Sequence, residues 1–191
     1  MRAAAPSTVV VLNGTSSSGK TTLARAFQEL AGSLFLNFSI DSILSALPQR
    51  ALDRIVAGTT IPDLPYLELH TAYYACVRKL AALGRDLVID NAITSRAQAE
   101  RLVAAATGHR VLLVSVSARP EVLDQRERER GDRNVGLASR QLATFDRWLD
   151  YDLRIDTSAL DPKEGAERIV AALKEGPGTA FERTCARMLV P

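Results

Sequence analysis

Short runs of apolar, often β-branched residues recur along the chain, and each is followed by a stretch whose apolar positions repeat at helical spacing. The apolar runs predict strands over residues 8–13, 34–39, 86–90, 110–117 and 153–156. Helical spacing predicts helices over 20–31, 42–46, 98–106, 121–130 and 162–173. A long helix over 64–83 precedes the third strand, and another over 139–149 precedes the fifth. This β–α alternation implies an α/β fold, a parallel sheet wrapped by helices and joined by right-handed crossovers. Ligands of such sheets bind outside the carboxyl ends of the strands. That rule draws attention to Asn13, Asp41, Asp90, Ser117 and Asp156, each at or just past a predicted strand end. Three stretches break the pattern. Residues 48–65 carry three prolines and a glycine and read as loop, 131–136 interrupt a charged helix, and Gly176 to Gly178 separate the last core helix from a tail. The expectation is one domain over 1–191, with a small lid over 126–138 and a C-terminal tail over 176–191.

The turn between the first strand and the first helix narrows the chemistry. Gly14 to Thr22 read Gly-Thr-Ser-Ser-Ser-Gly-Lys-Thr-Thr, a full G-x-x-x-x-G-K-[S/T] phosphate loop in the strand–loop–helix context that confirms such a motif. Gly14 and Gly19 allow backbone conformations that bring amide N–H groups close to phosphate oxygens. The backbone of Thr15, Ser16, Ser17 and Ser18 lies between them, and the helix beginning near Gly19 turns its positive end toward the anion. Lys20 is expected to reach the β- and γ-phosphates, Thr21 to place its hydroxyl on Mg²⁺, and Thr22 to add its amide at the start of the helix.

Composition removes several other classes. Apolar residues make up 47% of the chain, enough for a substantial core, but aromatics only 5%, so that core is built mainly from Ala, Leu, Val and Ile. With 24 basic and 22 acidic residues the charge is nearly balanced and gives no support for a nucleic-acid partner. Cys76 and Cys185 lie far apart and suggest neither a disulfide framework nor a zinc site, Cys76 reading as a core residue. No stretch is as apolar as a membrane span, and the first residues lack the apolar core of a signal peptide. A cytoplasmic protein with access to ATP and Mg²⁺ is expected.

Two carboxylates at strand ends are candidates for the chemistry. Asp41, after the second strand, could accept the proton of a substrate hydroxyl as it attacks phosphorus, or could cap the short helix expected at Ser42. Asp90 closes Leu87-Val88-Ile89, the pattern of a Walker-B aspartate that holds Mg²⁺; a turn-forming Asp-Asn pair is the alternative. Asp156 is read as a cap for the helix at Pro162, with a place in the nucleotide pocket also open. Residues 126–133 read Arg-Glu-Arg-Glu-Arg-Gly-Asp-Arg. They form either a solvated helix of ion pairs, worth about 0.3–0.5 kcal/mol each, or a lid bringing Arg130 and Arg133 to the transferring phosphoryl group. Arg133 and Arg130 rank ahead of Arg126 and Arg128. His109 reads as a surface residue, His70 as a helix residue that could face an acceptor, and Trp148 as a packing anchor.

Four segments together, residues 11–20, 38–42, 130–133 and 151–157, resemble the chloramphenicol 3-O-phosphotransferase family of P-loop kinases, over roughly residues 8–173. The resemblance implies a five-stranded sheet of order 2-3-1-4-5, ATP and Mg²⁺, and transfer of the γ-phosphoryl group to a primary alcohol. It also implies Asp41 as base and the Arg130–Arg133 segment as lid. The segment between Ser42 and the long helix is shorter than in the chloramphenicol enzyme, so the acceptor is either chloramphenicol or another hydroxyl compound. A metabolite, sugar or nucleoside kinase of similar build is the nearest alternative. A nucleotide switch is more distant, since no Asn-Lys-x-Asp guanine-reading tetrad occurs.

Overall fold

In the computed structural model the chain is described over residues 5–57, 61, 64–130, 136–176 and 178–189, with Arg130 described by its backbone alone. Five strands, β1 (Thr8–Asn13), β2 (Phe35–Ser39), β3 (Asp86–Asn91), β4 (Arg110–Ser117) and β5 (Leu153–Asp156), form one parallel sheet of order β2-β3-β1-β4-β5. The helices are α1 (Lys20–Leu30), α2 (Ile40–Leu44), α3 (Gln49–Val56), α4 (Tyr66–Ala82), α5 (Arg96–Ala106), α6 (Pro120–Arg130), α7 (Leu137–Leu142), α8 (Pro162–Glu175) and α9 (Ala180–Leu189).

The central strand explains the arrangement. Val9 to Leu12 are all fully buried because helices cover both faces of the sheet. Strand periodicity divides them. Val9 and Val11 join Leu87, Ile89, Leu113, Val77 and Leu102 on the face covered by α4 and α5. Val10 and Leu12 join Val88, Leu112, Val114, Leu23, Phe27 and Ile169 on the face covered by α1 and α8. Small residues let the second layer approach. A Cβ on Gly165 of α8 would lie 2.9 Å from the Leu23 side chain of α1.

The strands fall where the apolar runs placed them, to within a residue, whereas several other expectations need correction. The stretch 48–65 is not all loop. Pro48, with φ near −57°, precedes α3, whose Ala51, Leu52 and Ile55 are half-buried. A proline before the first helical residue starts a helix as readily as it ends one. The second short helix begins at Ile40, so its N-cap is Ser39, whose N–H donates to Ser42 Oγ at 3.2 Å. Asp41 therefore sits in the first turn and is not the cap. Nor does Asp156 cap α8. That role belongs to Asp161, which accepts the Glu164 N–H at 2.9 Å while Glu164 accepts the Asp161 N–H at 3.1 Å. The helix expected over 139–149 is the shorter α7, and the Phe145 carbonyl beyond it is held by Asn13 Nδ2 at 2.9 Å. Cys76 points outward from α4 and is exposed, since His70, Tyr73, Tyr74, Val77 and Ala81 form that helix's buried face.

The segment after Gly176 carries α9, which packs on α5 and β4 with Ala180 and Thr184 buried. Asp152 pins it there, accepting the Ala180 N–H through one oxygen and the Leu113 N–H through the other, both at 2.9 Å. Among the described residues no helix is long and apolar enough to cross a membrane.

Because Asp161 and Glu164 satisfy each other's amides, Asp161→Ala is expected to cost about 1 kcal/mol. Calorimetry should show a Tm lower by about 2–4 °C, and an unchanged Tm would show that the cap contributes nothing.

Candidate active site

The phosphate loop leaves β1 at Asn13, between the ends of β3 and β4. Asn13 is fully buried and its side chain joins both sides. Oδ1 accepts the Ile93 N–H at 2.8 Å, and Nδ2 donates to the Phe145 carbonyl and to the Tyr151 hydroxyl at 2.7 Å. Burial holds the Tyr151 phenol well above its ordinary pKa, so it stays protonated as part of this joint. Gly14 follows immediately, and a Cβ there would lie 2.0 Å from the Val116 carbonyl oxygen, so only glycine fits. The Gly14 N–H donates to the Asn91 carbonyl at 3.2 Å.

The loop then turns through two left-handed residues, Ser17 (φ 58°) and Gly19 (φ 87°). Gly19 takes that conformation freely, while for a serine it costs about 1–2 kcal/mol, which the surrounding bonds must offset. Thr15, Ser16, Ser17, Ser18 and Lys20 are all buried, and Thr15 Oγ1, Ser17 Oγ and Ser18 Oγ have no hydrogen-bond partner. Buried hydroxyls without partners are costly. Here they are clustered in a loop at the amino end of α1, where amide groups and helix dipole favour an anion.

Lys20 Nζ donates to the Thr15 carbonyl at 2.7 Å and lies 3.6 Å from Asp90 Oδ1. Thr21 Oγ1 donates to Asp90 Oδ2 at 2.8 Å. Lys20, Thr21 and Asp90 therefore meet at one point. A hydroxyl beside a carboxylate is a hard-oxygen donor pair. It fits Mg²⁺, which binds through one or two protein oxygens with phosphates and water completing the octahedron.

These groups and Asp41 line one cavity of about 350 Å³, shared with Thr22, Arg126, Thr157 and Pro162. Asp41 is exposed on α2 and reaches the cavity from the β2 side. Arg126 reaches it from the β4 side. Its Nη1 donates to Thr157 Oγ1 at 2.9 Å and to the Ser17 carbonyl at 3.3 Å, and its Nη2 donates to the Thr157 carbonyl at 3.1 Å. Sequence reasoning placed Arg126 behind Arg130 and Arg133. Arg133 lies outside the described residues and so does the side chain of Arg130, whereas Arg126 is in contact with the phosphate loop. The available signal was its position one helical turn before Arg130 on the same face. Thr157 was missed in favour of its neighbour Asp156, which is exposed and accepts the Ser158 N–H at 2.8 Å. His70 is buried against the Tyr66 ring, with ring centroids 4.6 Å apart and both nitrogens without partners. Burial and the nearby Arg101 charge lower its pKa, which keeps it neutral at neutral pH.

Residues 7–174 match the family described as chloramphenicol phosphotransferase-like protein. The chain belongs to the chloramphenicol phosphotransferase-like family. A curated Mycobacterium tuberculosis protein, named as a candidate O-phosphotransferase, is 31% identical over 95% of this chain and 89% of its own length. Among solved structures, a sugar kinase from Janibacter shares the fold with a TM-score of 0.69 at 22% identity, covering 92% of this chain and 99% of that one. A gluconokinase from Sinorhizobium meliloti shares it with a TM-score of 0.63 at 20% identity, covering 95% and 97%. This phosphotransferase-like chain is therefore a small-molecule kinase, taking a nucleotide and a small-molecule acceptor.

Proposed function

We propose that the protein transfers the γ-phosphoryl group of ATP to a hydroxyl of a small molecule, as chloramphenicol 3-O-phosphotransferase does in inactivating an antibiotic. The observation that carries this reading is the shared cavity, which Asp41 lines together with the Lys20–Thr21–Asp90 cluster.

Each role follows from a position. The loop from Gly14 to Gly19 cradles the phosphates with the amides of Lys20, Thr21 and Thr22 and with those of its own that are not committed to Asn91, Gln141 or Thr15. Lys20 moves from its loop carbonyl to the β- and γ-phosphates. Thr21 and Asp90 would hold Mg²⁺, which when bound neutralises charge on the β- and γ-oxygens. Asp41 orients the acceptor hydroxyl and takes its proton as the oxygen attacks phosphorus. The bond from the γ-phosphorus to the β–γ bridging oxygen breaks, and ADP leaves with that electron pair. Arg126 holds the loop through the Ser17 carbonyl, while Arg130 and Arg133 are assigned to the lid segment over 126–138, where they would meet charge on the transferring group. The whole chain is read as one kinase domain, working in the cytoplasm where ATP and Mg²⁺ are available, with no role for nucleic acid or membrane.

The acceptor side is assigned to α2, which supplies Asp41 to the cavity, and to the segment that follows it through α3 to the start of α4, where Val56, Tyr66 and Leu67 are exposed. These apolar side chains favour an acceptor with an apolar body, such as chloramphenicol, over a sugar acid, although both the sugar kinase and the gluconokinase share the fold. Mass spectrometry of products from ATP, Mg²⁺, chloramphenicol and a panel of hydroxylated metabolites tests this. A product heavier by one phosphoryl group is expected with chloramphenicol or an apolar alcohol. A product with sugars or sugar acids alone would replace the antibiotic reading with the metabolite-kinase one. ATP binding without any product would support a nucleotide switch.

A further inference from the structure

Three consecutive residues of the phosphate loop each have a main-chain group held by a side chain from the second half of the chain. Ser16 N–H donates to Gln141 Oε1 at 2.6 Å, the Ser17 carbonyl accepts from Arg126 at 3.3 Å, and the Ser18 carbonyl accepts from Thr157 Oγ1 at 2.9 Å. Arg126 and Thr157 bond each other and line the cavity. Gln141 comes from elsewhere, the far end of α7, and is half-buried.

The placement of α7 is itself fixed from α6. Glu127, next to Arg126, is fully buried, and its carboxylate accepts the Gly136 N–H at 2.8 Å and the Ala138 N–H at 2.7 Å. Both oxygens of one buried carboxylate thus hold the start of α7 to α6, one residue from the arginine on the loop. The connections close a ring. The loop is bonded to α6 through Arg126, α6 to α7 through Glu127, and α7 back to the loop through Gln141.

We propose that Gln141 is a positioning residue for the phosphoryl donor, presenting its side-chain oxygen to the Ser16 amide and so fixing the loop in the shape that receives the triphosphate, with Glu127 acting through it. The inference rests on the kinase reading. Ser16 precedes the left-handed Ser17, so the orientation of the peptide plane at residue 16 sets the direction of the amides that follow. No motif assigns this role, and Gln141 touches neither Lys20 nor Asp90 through any bond of the described residues.

Gln141→Met keeps the length and helix preference of the side chain and removes the acceptor oxygen. Losing one such bond is expected to weaken ATP binding by about three- to tenfold in calorimetric titration. Adenosine affinity and Tm are expected to stay at wild-type values, because the nucleoside does not use the loop. Gln141→Asn, shorter by one methylene, should fail to reach Ser16 and behave like Gln141→Met. An ATP affinity unchanged in Gln141→Met, or lowered equally for ATP and adenosine, overturns the proposal. Amide exchange at Ser16 in the wild-type protein gives a test free of any variant, with slow exchange supporting the bond and exchange at the unprotected rate overturning it. Wild-type protein that does not bind ATP at all would instead remove the kinase reading on which the proposal stands.

Discussion

Replacing Asp41 with Asn is expected to stop phosphoryl transfer while ATP still binds. The substitution keeps the size of the side chain and the first turn of α2, since the cap there is Ser39. It removes the one carboxylate that α2 contributes to the cavity among its described lining residues. General bases contribute about 10²–10⁴-fold to rate, so single-turnover transfer should fall on that scale, with the Kd for ATP within a factor of about two of wild type. Lys20→Ala, which removes the cation among the phosphates, should abolish transfer by weakening both donor binding and turnover. A near-normal kcat for Asp41→Asn would sink the base assignment and leave Asp41 as a helix residue that happens to line the cavity.

The second large effect is expected at Gly14. An added methyl group would meet the Val116 carbonyl oxygen at 2.0 Å and Ser18 Oγ at 2.8 Å. The serine could rotate, but the carbonyl belongs to a backbone fixed between β1 and β5, where Ser115 pairs with Asn13 and Val116 with Ile155. Gly14→Ala must therefore push the loop away from the sheet. Overpacking at such a site costs about 1–3 kcal/mol, occasionally more, and the displaced amides should weaken ATP binding by at least about tenfold. Gly32→Ala is the control, because a Cβ there meets nothing within 4 Å. Equal Tm and ATP affinity in the two variants would refute the close-approach account.

What could be read from the sequence, and what could not, divides along a physical line. Strands buried on both faces are continuous apolar runs, so Val9 to Leu12 and Leu87 to Ile89 announce themselves locally. The phosphate loop does too, because its two glycines, lysine and threonine are demanded by geometry within nine residues. Asp41 and Asp90 follow from the rule that ligands sit at strand ends. The misses depend on contacts made far along the chain. α3 was hidden because prolines on both sides read as breakers, and α9 because its anchor, Asp152, lies 28 residues before Ala180. Cys76 was misjudged because an apolar helix does not reveal which side faces the sheet. Arg126, Thr157 and Gln141 are set apart from their neighbours only by touching Ser16 to Ser18, 109 to 139 residues away.

The position of β1 in the middle of the sheet has a consequence for how such an enzyme can change. β3 and β2 lie to one side of it and β4 and β5 to the other. The proposed acceptor residues come from the first side, while Arg126, Thr157 and Gln141 come from the second. Asn13 ties the two together beneath the loop with a single side chain. On the proposed reading a lineage could thus rewrite 42–66, and with it the compound it modifies, while keeping Asp41 and the parts that grip the donor. Two neighbouring genes of this kind could differ wholly in target and still share one nucleotide affinity.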